Sequence, residues 1–376
     1  MLPGFVNAHS HIEYSLSRNR YDALNLWQWL GAVGFRGQNR PTEQVITASA
    51  RLGAAECAYS GITCAADSSF SGLAAYALDE IGLRGIVYKE LFGQSMGENY
   101  ERGFLSVLED VRRLRSETSE RIRIGISPHS VYTSNVEVLR LCAETELPVA
   151  IHLAETKAES LYTLDGTGPL SDWRRSLGYE APGYQTSPGH ILKEAGLLRN
   201  GVTLAHCVHV HEDEIAQIAA SGAGVAHCPR SNSYLGAGIF PMREFCENGA
   251  KIGLGTDSVA SCLKMDFFEE MRFALAIHRA QEQDAGTVTA KQILELATVG
   301  GATMLGLENE IGQLKAGMRA DMIVVDITDS LPNEDIYLSV ISKSPDDIIL
   351  RLVDGVTLTP AVADRAGELM SLMEQN

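Results

Sequence analysis

The sequence predicts an α/β protein: a (β/α)8 TIM barrel followed by a small, incomplete β-sandwich of C-terminal strands. Two observations carry that expectation. Eight short apolar runs alternate with longer helical patterns, and the runs read as continuous rather than alternating, as strands covered on both faces do. Beyond about residue 308 the alternation stops and short strands follow one another closely.

The eight runs are Gly4–Ala8, Gly61–Ala66, Arg84–Tyr88, Arg121–Ser127, Pro148–Leu153, Gly201–His206, Ala223–His227 and Ala250–Gly255. Helices are expected between them. Thr42–Tyr59 opens on a Thr cap, Glu98–Glu117 is amphipathic and Ser134–Thr145 is Ser-capped, while Glu212–Ala220 and Pro241–Asn248 follow later strands. Strand–helix units repeated in this order favour a closed barrel over an open sheet. Leu153–Leu198 is long for one connection and predicts a decorated active-site loop with a helix. After helical patterns at Lys264–Gln283 and Thr289–Leu305, strands are expected at Ile311–Leu314, Ala320–Asp326, Ile348–Val353 and Val356–Leu358. The division is a barrel over 1–307 and a C-terminal β unit with a terminal helix over 308–376.

A chain of 376 residues, 45% hydrophobic and 21% charged, has the composition of a soluble globular protein. A net charge of −17 argues against nucleic-acid and anionic-membrane partners. No apolar run approaches the roughly 20 residues of a membrane span, and nothing reads as a signal peptide. The seven cysteines form no C-x-x-C pair, which predicts buried reduced thiols and a cytoplasmic location.

The chemistry begins at Asn7-Ala8-His9-Ser10-His11. Residues i and i+2 of a strand share a face, so both imidazoles project from one strand tip. Barrel chemistry gathers at the C-terminal strand ends. Those ends carry, in order, His9 and His11, Asp67, Glu90, His129, His152, His206, His227 and Asp257. Histidines satisfied by backbone would scatter along the chain; these face one mouth. His9, His11, His152 and Asp257 supply three imidazoles and one carboxylate and leave a position for water, which suits one zinc ion, with iron(II) as the alternative. Such an ion lowers the pKa of water. Glu155, just past His152, is placed to shuttle a proton, and His206 to polarise the water or stabilise developing charge.

Together with Ser127-Pro128-His129-Ser130, His152-Leu153-Ala154-Glu155, Ala205-His206-Cys207, His227-Cys228-Pro229-Arg230-Ser231-Asn232 and Leu254-Gly255-Thr256-Asp257-Ser258, the opening motif resembles the amidohydrolase superfamily. The similar branch is the mononuclear one of chlorotriazine hydrolases and of nucleoside, guanine and pterin deaminases. The resemblance runs from Leu2 to about Asp326. It implies that His9, His11, His152 and Asp257 hold the metal, that Glu155, His206 and Asp257 serve catalysis, and that His129, His227, Arg230 and Asn232 bind substrate or shape its pocket. Ala316-Gly317-Met318-Arg319-Ala320-Asp321 resembles the family's closing β segment.

Two departures stand out. Met1 directly precedes the first barrel strand, where family members carry further strands; this predicts a partial sandwich, a truncated start, or an edge covered in a homo-oligomer. The fourth strand ends in Pro128-His129 rather than a lysine, which removes the carbamate of binuclear relatives; Lys89 is the nearby lysine that challenges a one-metal reading. Within the branch, His11-Ile12-Glu13-Tyr14-Ser15, the Trp27/Trp29 pair, Asp165-Gly166-Thr167-Gly168-Pro169 and Leu235-Gly236-Ala237-Gly238 look most like aminodeoxyfutalosine deaminases.

Several residues also carry plainer readings. Trp27 and Trp29 cannot share a helix face, so one belongs to the core and the other, taken as Trp27, covers the substrate. His209 and His211 precede an acidic helix start and read as cap residues; His190 and His278 read as surface residues. Asp67 and Glu90 fit ordinary strand-end hydrogen bonding as well as substrate contact. The expected activity is release of ammonia from an aminated purine-like ring. Aminodeoxyfutalosine is the first choice; S-adenosylhomocysteine or adenosine, guanine, pterin, or chloride displacement from a triazine are alternatives. A non-catalytic barrel acting as an interaction protein is the reading from another class.

Overall fold

The computed structural model describes residues 1–34 and 40–374. A two-residue strand, β1 (Leu2–Pro3), leads into the barrel strands β2 (Phe5–Ser10), β3 (Ile62–Ser69), β4 (Arg84–Glu90), β5 (Ile122–Ser127), β6 (Val149–Leu153), β7 (Val202–His206), β8 (Gly224–His227) and β9 (Lys251–Leu254). All eight lie parallel in chain order. Each overlaps one of the eight apolar runs, because residues buried on both faces leave no room for polar alternation.

The ring closes between its first and last strands, just beyond β9. Asp257 N donates to His9 O at 3.0 Å. The Asn7 side chain clamps the seam from inside, accepting from Thr256 N at 3.0 Å and donating to Thr256 Oγ1 at 2.8 Å. The lower barrel is filled by small residues (Ala8, Cys64, Ala66, Ala150, Ala226) around Tyr88, and by Met304, Leu305 and Ile311 from beyond the barrel. The predicted helix Thr289–Leu305 is realised as Ala290–Glu295, a π turn at Leu296–Gly300 and a last turn at Gly301–Met304. Gly301 lies so close to β2 that an added Cβ would stand 2.9 Å from Val6.

The C-terminal residues form a single antiparallel sheet with β10 (Met322–Val325), β11 (Ile348–Val353) and β12 (Val356–Thr357), and β1 pairs on β10. The N-terminus therefore supplies one of its four strands. Ile311–Leu314 is not a strand: Ile311 is drawn into the barrel floor and Gly312 turns the chain at φ 89°. The expected Ser134 cap is Asn135, which accepts from Val138 N at 2.9 Å. Leu153–Leu198 carries three helices, Lys157–Asp165, Gly168–Ser176 and Pro188–Glu194, rather than one. His278 is buried, not on the surface, because it continues the stripe Phe267, Met271, Ala274 on the helix Phe267–Glu282. No helix among the described residues is long and apolar enough to cross a membrane.

A buried ion group ties sheet to barrel. Arg84 at the start of β4 donates to Asp321 at 2.8 Å and to Asp354 at 2.7 Å, and Asp354 N donates back to Asp321 at 2.9 Å. Opposite, the helix Val362–Glu374 lays Leu369 among Leu16, Val45, Ala48 and Leu52. Removing one partner of a buried pair strands the other, so Arg84→Ala is expected to cost about 3–5 kcal/mol, read as a lower urea midpoint. The double change Arg84→Met with Asp321→Leu is expected to recover much of that loss.

Candidate active site

The strand tips bring His9, His11, His152 and Asp257 together. His11 Nε2 lies 3.1 Å from His152 Nε2, and Asp257 Oδ1 lies 3.5 Å from His11 Nε2 and 3.7 Å from His9 Nε2. Backbone carbonyls set the tautomers. His11 Nδ1 donates to Ser68 O at 2.8 Å and His152 Nδ1 to His129 O at 2.7 Å. With Nδ1 carrying the proton, each Nε2 presents a lone pair to the same point. His9 Nε2 is buried there without a hydrogen bond among the described residues. Lone pairs 3.1 Å apart repel unless a cation lies between them, so the donor set fits a divalent metal held by three imidazoles and Asp257.

The electrostatics agree. Burial, reinforced by neighbouring imidazoles, holds His9 well below its ordinary value and pushes His152 down to about 3, which keeps both neutral as ligands. Burial acts to raise Asp257, but His11 and His206 outweigh it, and the carboxyl sits below its usual range. Its second oxygen accepts from Ser231 Oγ at 2.5 Å and Ser261 Oγ at 3.1 Å. These two serines escaped sequence reasoning; only the Ser231 position inside the His227–Asn232 motif hinted at a role. Lys89 is engaged elsewhere, donating to Phe70 O and Glu90 O.

Beside the ligands lies a proton-handling pair. His206 Nδ1 donates to Asn232 Oδ1 at 2.9 Å, which turns Nε2 toward Glu155 Oε2, 3.8 Å away. Burial raises Glu155 to about 7, with His206 opposing the rise. A carboxyl poised there both takes and gives a proton near neutral pH.

Above this floor opens a cavity of about 490 Å³. Glu90, His129 and Tyr132 line it near the ligands; Trp29, Phe70, Phe92, Trp173 and Tyr179 give it aromatic walls; Arg174 is its one guanidinium among the described residues. Arg174 is buried, donates to Gln94 Oε1 at 2.6 Å and lies 4.1 Å from the Tyr179 ring centroid. The helix Leu26–Val33 and the segment from Gly168 to Tyr179, packed against each other through Trp27, Leu30, Leu170 and Trp173, form part of its rim.

Four expected substrate contacts do not reach the cavity wall. Trp27 packs beside Tyr132, Tyr162 and Leu170, whereas Trp29, aligned with Leu26 and Val33, faces the cavity. That spacing was visible in the sequence. Arg230 is consumed by Glu270 at 2.6 Å and Glu269 at 3.0 Å, because a buried guanidinium needs carboxylates. His227 bonds His278 at 2.8 Å and stacks on Phe240. Asn232 acts through His206. Asp67 is a structural acceptor for Ser10 Oγ and Ile12 N, both at 2.8 Å. His209 bonds Ala237 O, and His211 caps the helix Glu212–Ser221.

A closed parallel barrel with this ligand set at its strand tips defines the class of barrel hydrolases built around a metal site. The chain belongs to the Amidohydrolase family, whose profile matches residues 1–360. It is an enzyme, a hydrolase of carbon–nitrogen bonds. The chain is 35% identical over 325 residues to the 5-methylthioadenosine/S-adenosylhomocysteine deaminase of Desulforudis audaxviator (strain MP104C), covering 86% of this chain and 72% of that protein. The same-named enzyme of Symbiobacterium thermophilum is 34% identical over 94% of this chain and 80% of its own length. Among solved structures, a zinc-bound adenosine deaminase from Xanthomonas campestris superposes with TM-score 0.84 at 24% identity, over 100% of this chain and 85% of that one. E. coli guanine deaminase gives 0.78 at 24% identity, over 95% and 84%. At these identities the superpositions speak for the fold.

Ser231 and Ser261 fix the free oxygen of Asp257, and such partners of metal ligands are commonly worth 10–100-fold in affinity. Ser231→Ala is therefore expected to weaken zinc binding by roughly 10–100-fold in a chelator competition, with secondary structure unchanged by circular dichroism.

Proposed function

We propose that this chain is an aminohydrolase that removes the exocyclic amino group of an adenine nucleoside as ammonia, using one zinc ion, with iron(II) the alternative metal. The observation that carries it is the Glu155–His206 pair set against the His9, His11, His152 and Asp257 cluster on the floor of an aromatic cavity. The relatives named 5-methylthioadenosine/S-adenosylhomocysteine deaminase support the choice of ring. One metal per chain agrees with His129 standing at the end of β5 and with Lys89 bonded elsewhere.

A divalent ion in this cluster supplies water activated for attack at neutral pH. The residues do the rest. Glu155 takes a proton from the attacking water and delivers it to the ring nitrogen next to the amino-bearing carbon. His206, oriented by Asn232, stabilises charge developing on the attacking oxygen. Asp257, beside the attacked carbon, would take the remaining water proton and pass it to the amino group, which departs as ammonia when its bond to the ring carbon breaks. The aromatic walls stack the base, and Glu90 and His129 meet the nucleoside near the floor. Arg174 on the wall favours substrates whose far end carries a carboxylate, such as S-adenosylhomocysteine or aminodeoxyfutalosine, over plain adenosine.

Ammonia release by the zinc-loaded protein from 5′-methylthioadenosine, S-adenosylhomocysteine, adenosine, aminodeoxyfutalosine, guanine and a pterin tests the reading. Turnover of an adenine nucleoside is expected. Chloride release from a chlorotriazine with no ammonia from any of the six overturns it. Glu155→Gln is expected to keep its zinc and to lose about 10²–10⁴-fold in kcat, measured alongside metal content by elemental analysis.

A further inference from the structure

Glu159 is a fully buried carboxyl group to which the reaction above gives no task. It sits in the first turn of the helix Lys157–Asp165, four residues after Glu155. In an ordinary capping box, a glutamate at this third helical position reaches back to the N–H of the N-cap residue. Here the N-cap is Thr156, and Glu159 reaches past it. Its Oε2 accepts from Glu155 N at 3.1 Å. Its Oε1 makes no hydrogen bond among the described residues. Burial raises the group to about 8, the neighbouring backbone N–H groups opposing the rise, so near neutral pH its carbonyl oxygen is the acceptor.

What that bond holds is a strained piece of backbone. Ala154 has φ 49°, and directly across from it His206 and Cys207 have φ 74° and 49°. Non-glycine residues pay a steric penalty in this left-handed region, and neighbouring bonds must hold them there. The two corners are stitched together: Cys207 N donates to Leu153 O at 2.9 Å, and His209 N donates to Ala154 O at 2.8 Å. The peptide that joins Ala154 to Glu155 is thus held at its N–H by Glu159, and the carbonyl of Ala154 by the β7 corner. The side chain that leaves this clamp is Glu155, 3.8 Å from His206 Nε2.

We propose that Glu159 is a positioning residue: its carboxyl pins the corner at Ala154, so that the Glu155 carboxylate stays in register with His206 and the metal ligands. This rests on the reading of Glu155 as the proton carrier. Glu159 touches neither substrate nor metal ligand and acts only through the backbone of its neighbour. A glutamine offers the same amide oxygen in the same place; an alanine offers nothing.

The test uses the zinc-loaded full chain as wild type, Glu159→Ala, Glu159→Gln, Glu155→Gln and the Glu155→Gln/Glu159→Ala double variant, with 5′-methylthioadenosine as probe. Misplacing a catalytic group by about 1 Å costs on the order of 10²-fold, so Glu159→Ala is expected to lose roughly 10–100-fold in kcat. Its KM and zinc content should stay within about twofold of wild type. Glu159→Gln is expected to restore most of the rate. Added to Glu155→Gln, the alanine change is expected to cost nothing further, because the two residues act as a unit. Crystal structures of zinc-loaded wild type and Glu159→Ala give a readout that needs no substrate: the Glu155 carboxylate is expected to leave His206 in the variant alone. Wild-type kcat in Glu159→Ala, a full additional loss in the double variant, or an unmoved Glu155 overturns the proposal. A fully active Glu155→Gln instead overturns the proton-carrier reading beneath it, and the crystal comparison still decides whether Glu159 positions that carboxylate.

Discussion

Three imidazole lone pairs and a carboxylate meet on the floor of a cavity, largely buried, an arrangement that a cation between them stabilises. Every other feature of the site follows from it. The backbone carbonyls of Ser68 and His129 hold protons on the outer nitrogens of His11 and His152, leaving the inner ones bare. Two serines occupy the second oxygen of Asp257. Burial keeps the imidazoles neutral. Without a metal each of these choices raises the energy of the fold; with one, each sharpens the ligand field.

Holding those groups also requires backbone that ordinary strands do not supply. His129, Ala154, His206, Cys207 and Asp257 all have positive φ, at the ends of four barrel strands around one mouth. A residue so placed costs on the order of 1–3 kcal/mol. The chain offsets this with bonds between neighbouring corners, of which Asp257 N to His9 O and His209 N to Ala154 O are examples. The strain lies where side chains must turn inward over the barrel rather than continue along a strand.

The barrel was legible because period and composition act locally: a run buried on both faces has to be apolar, and all eight runs became strands. The ligands were legible because an i, i+2 histidine pair and single residues at strand tips have one geometric meaning in a barrel. What was hidden depends on distant parts of the chain. Which of Trp27 and Trp29 meets the cavity depends on the packing of the helix Leu26–Val33 against Tyr132, Tyr162 and Leu170. Arg230 belongs to Glu270, forty positions away, so its motif could not reveal that its charge was already taken. His278 reads as a surface residue because charged residues on the other face make its helix look polar, although it continues the stripe Phe267, Met271, Ala274. Ile311 had a strand-like neighbourhood, yet the vacancy it fills is the barrel floor.

The seam of the ring joins Asn7 to Thr256, 249 positions apart in sequence. Translation is vectorial, so His9 and His11 emerge from the ribosome long before Asp257 exists. At roughly 5–20 residues per second, the first two ligands wait on the order of tens of seconds for the last. Nascent chains therefore expose a half-built chelating tip while the barrel is still an open, curling sheet with two unpaired edges. The residue that closes the seam, Asp257, is also the last member of the candidate ligand set, so ring and site are completed by the same stretch of chain. Premature termination anywhere before the ninth strand leaves neither a ring nor a site, and such fragments carry the sheet edges and apolar faces that quality-control machinery recognises.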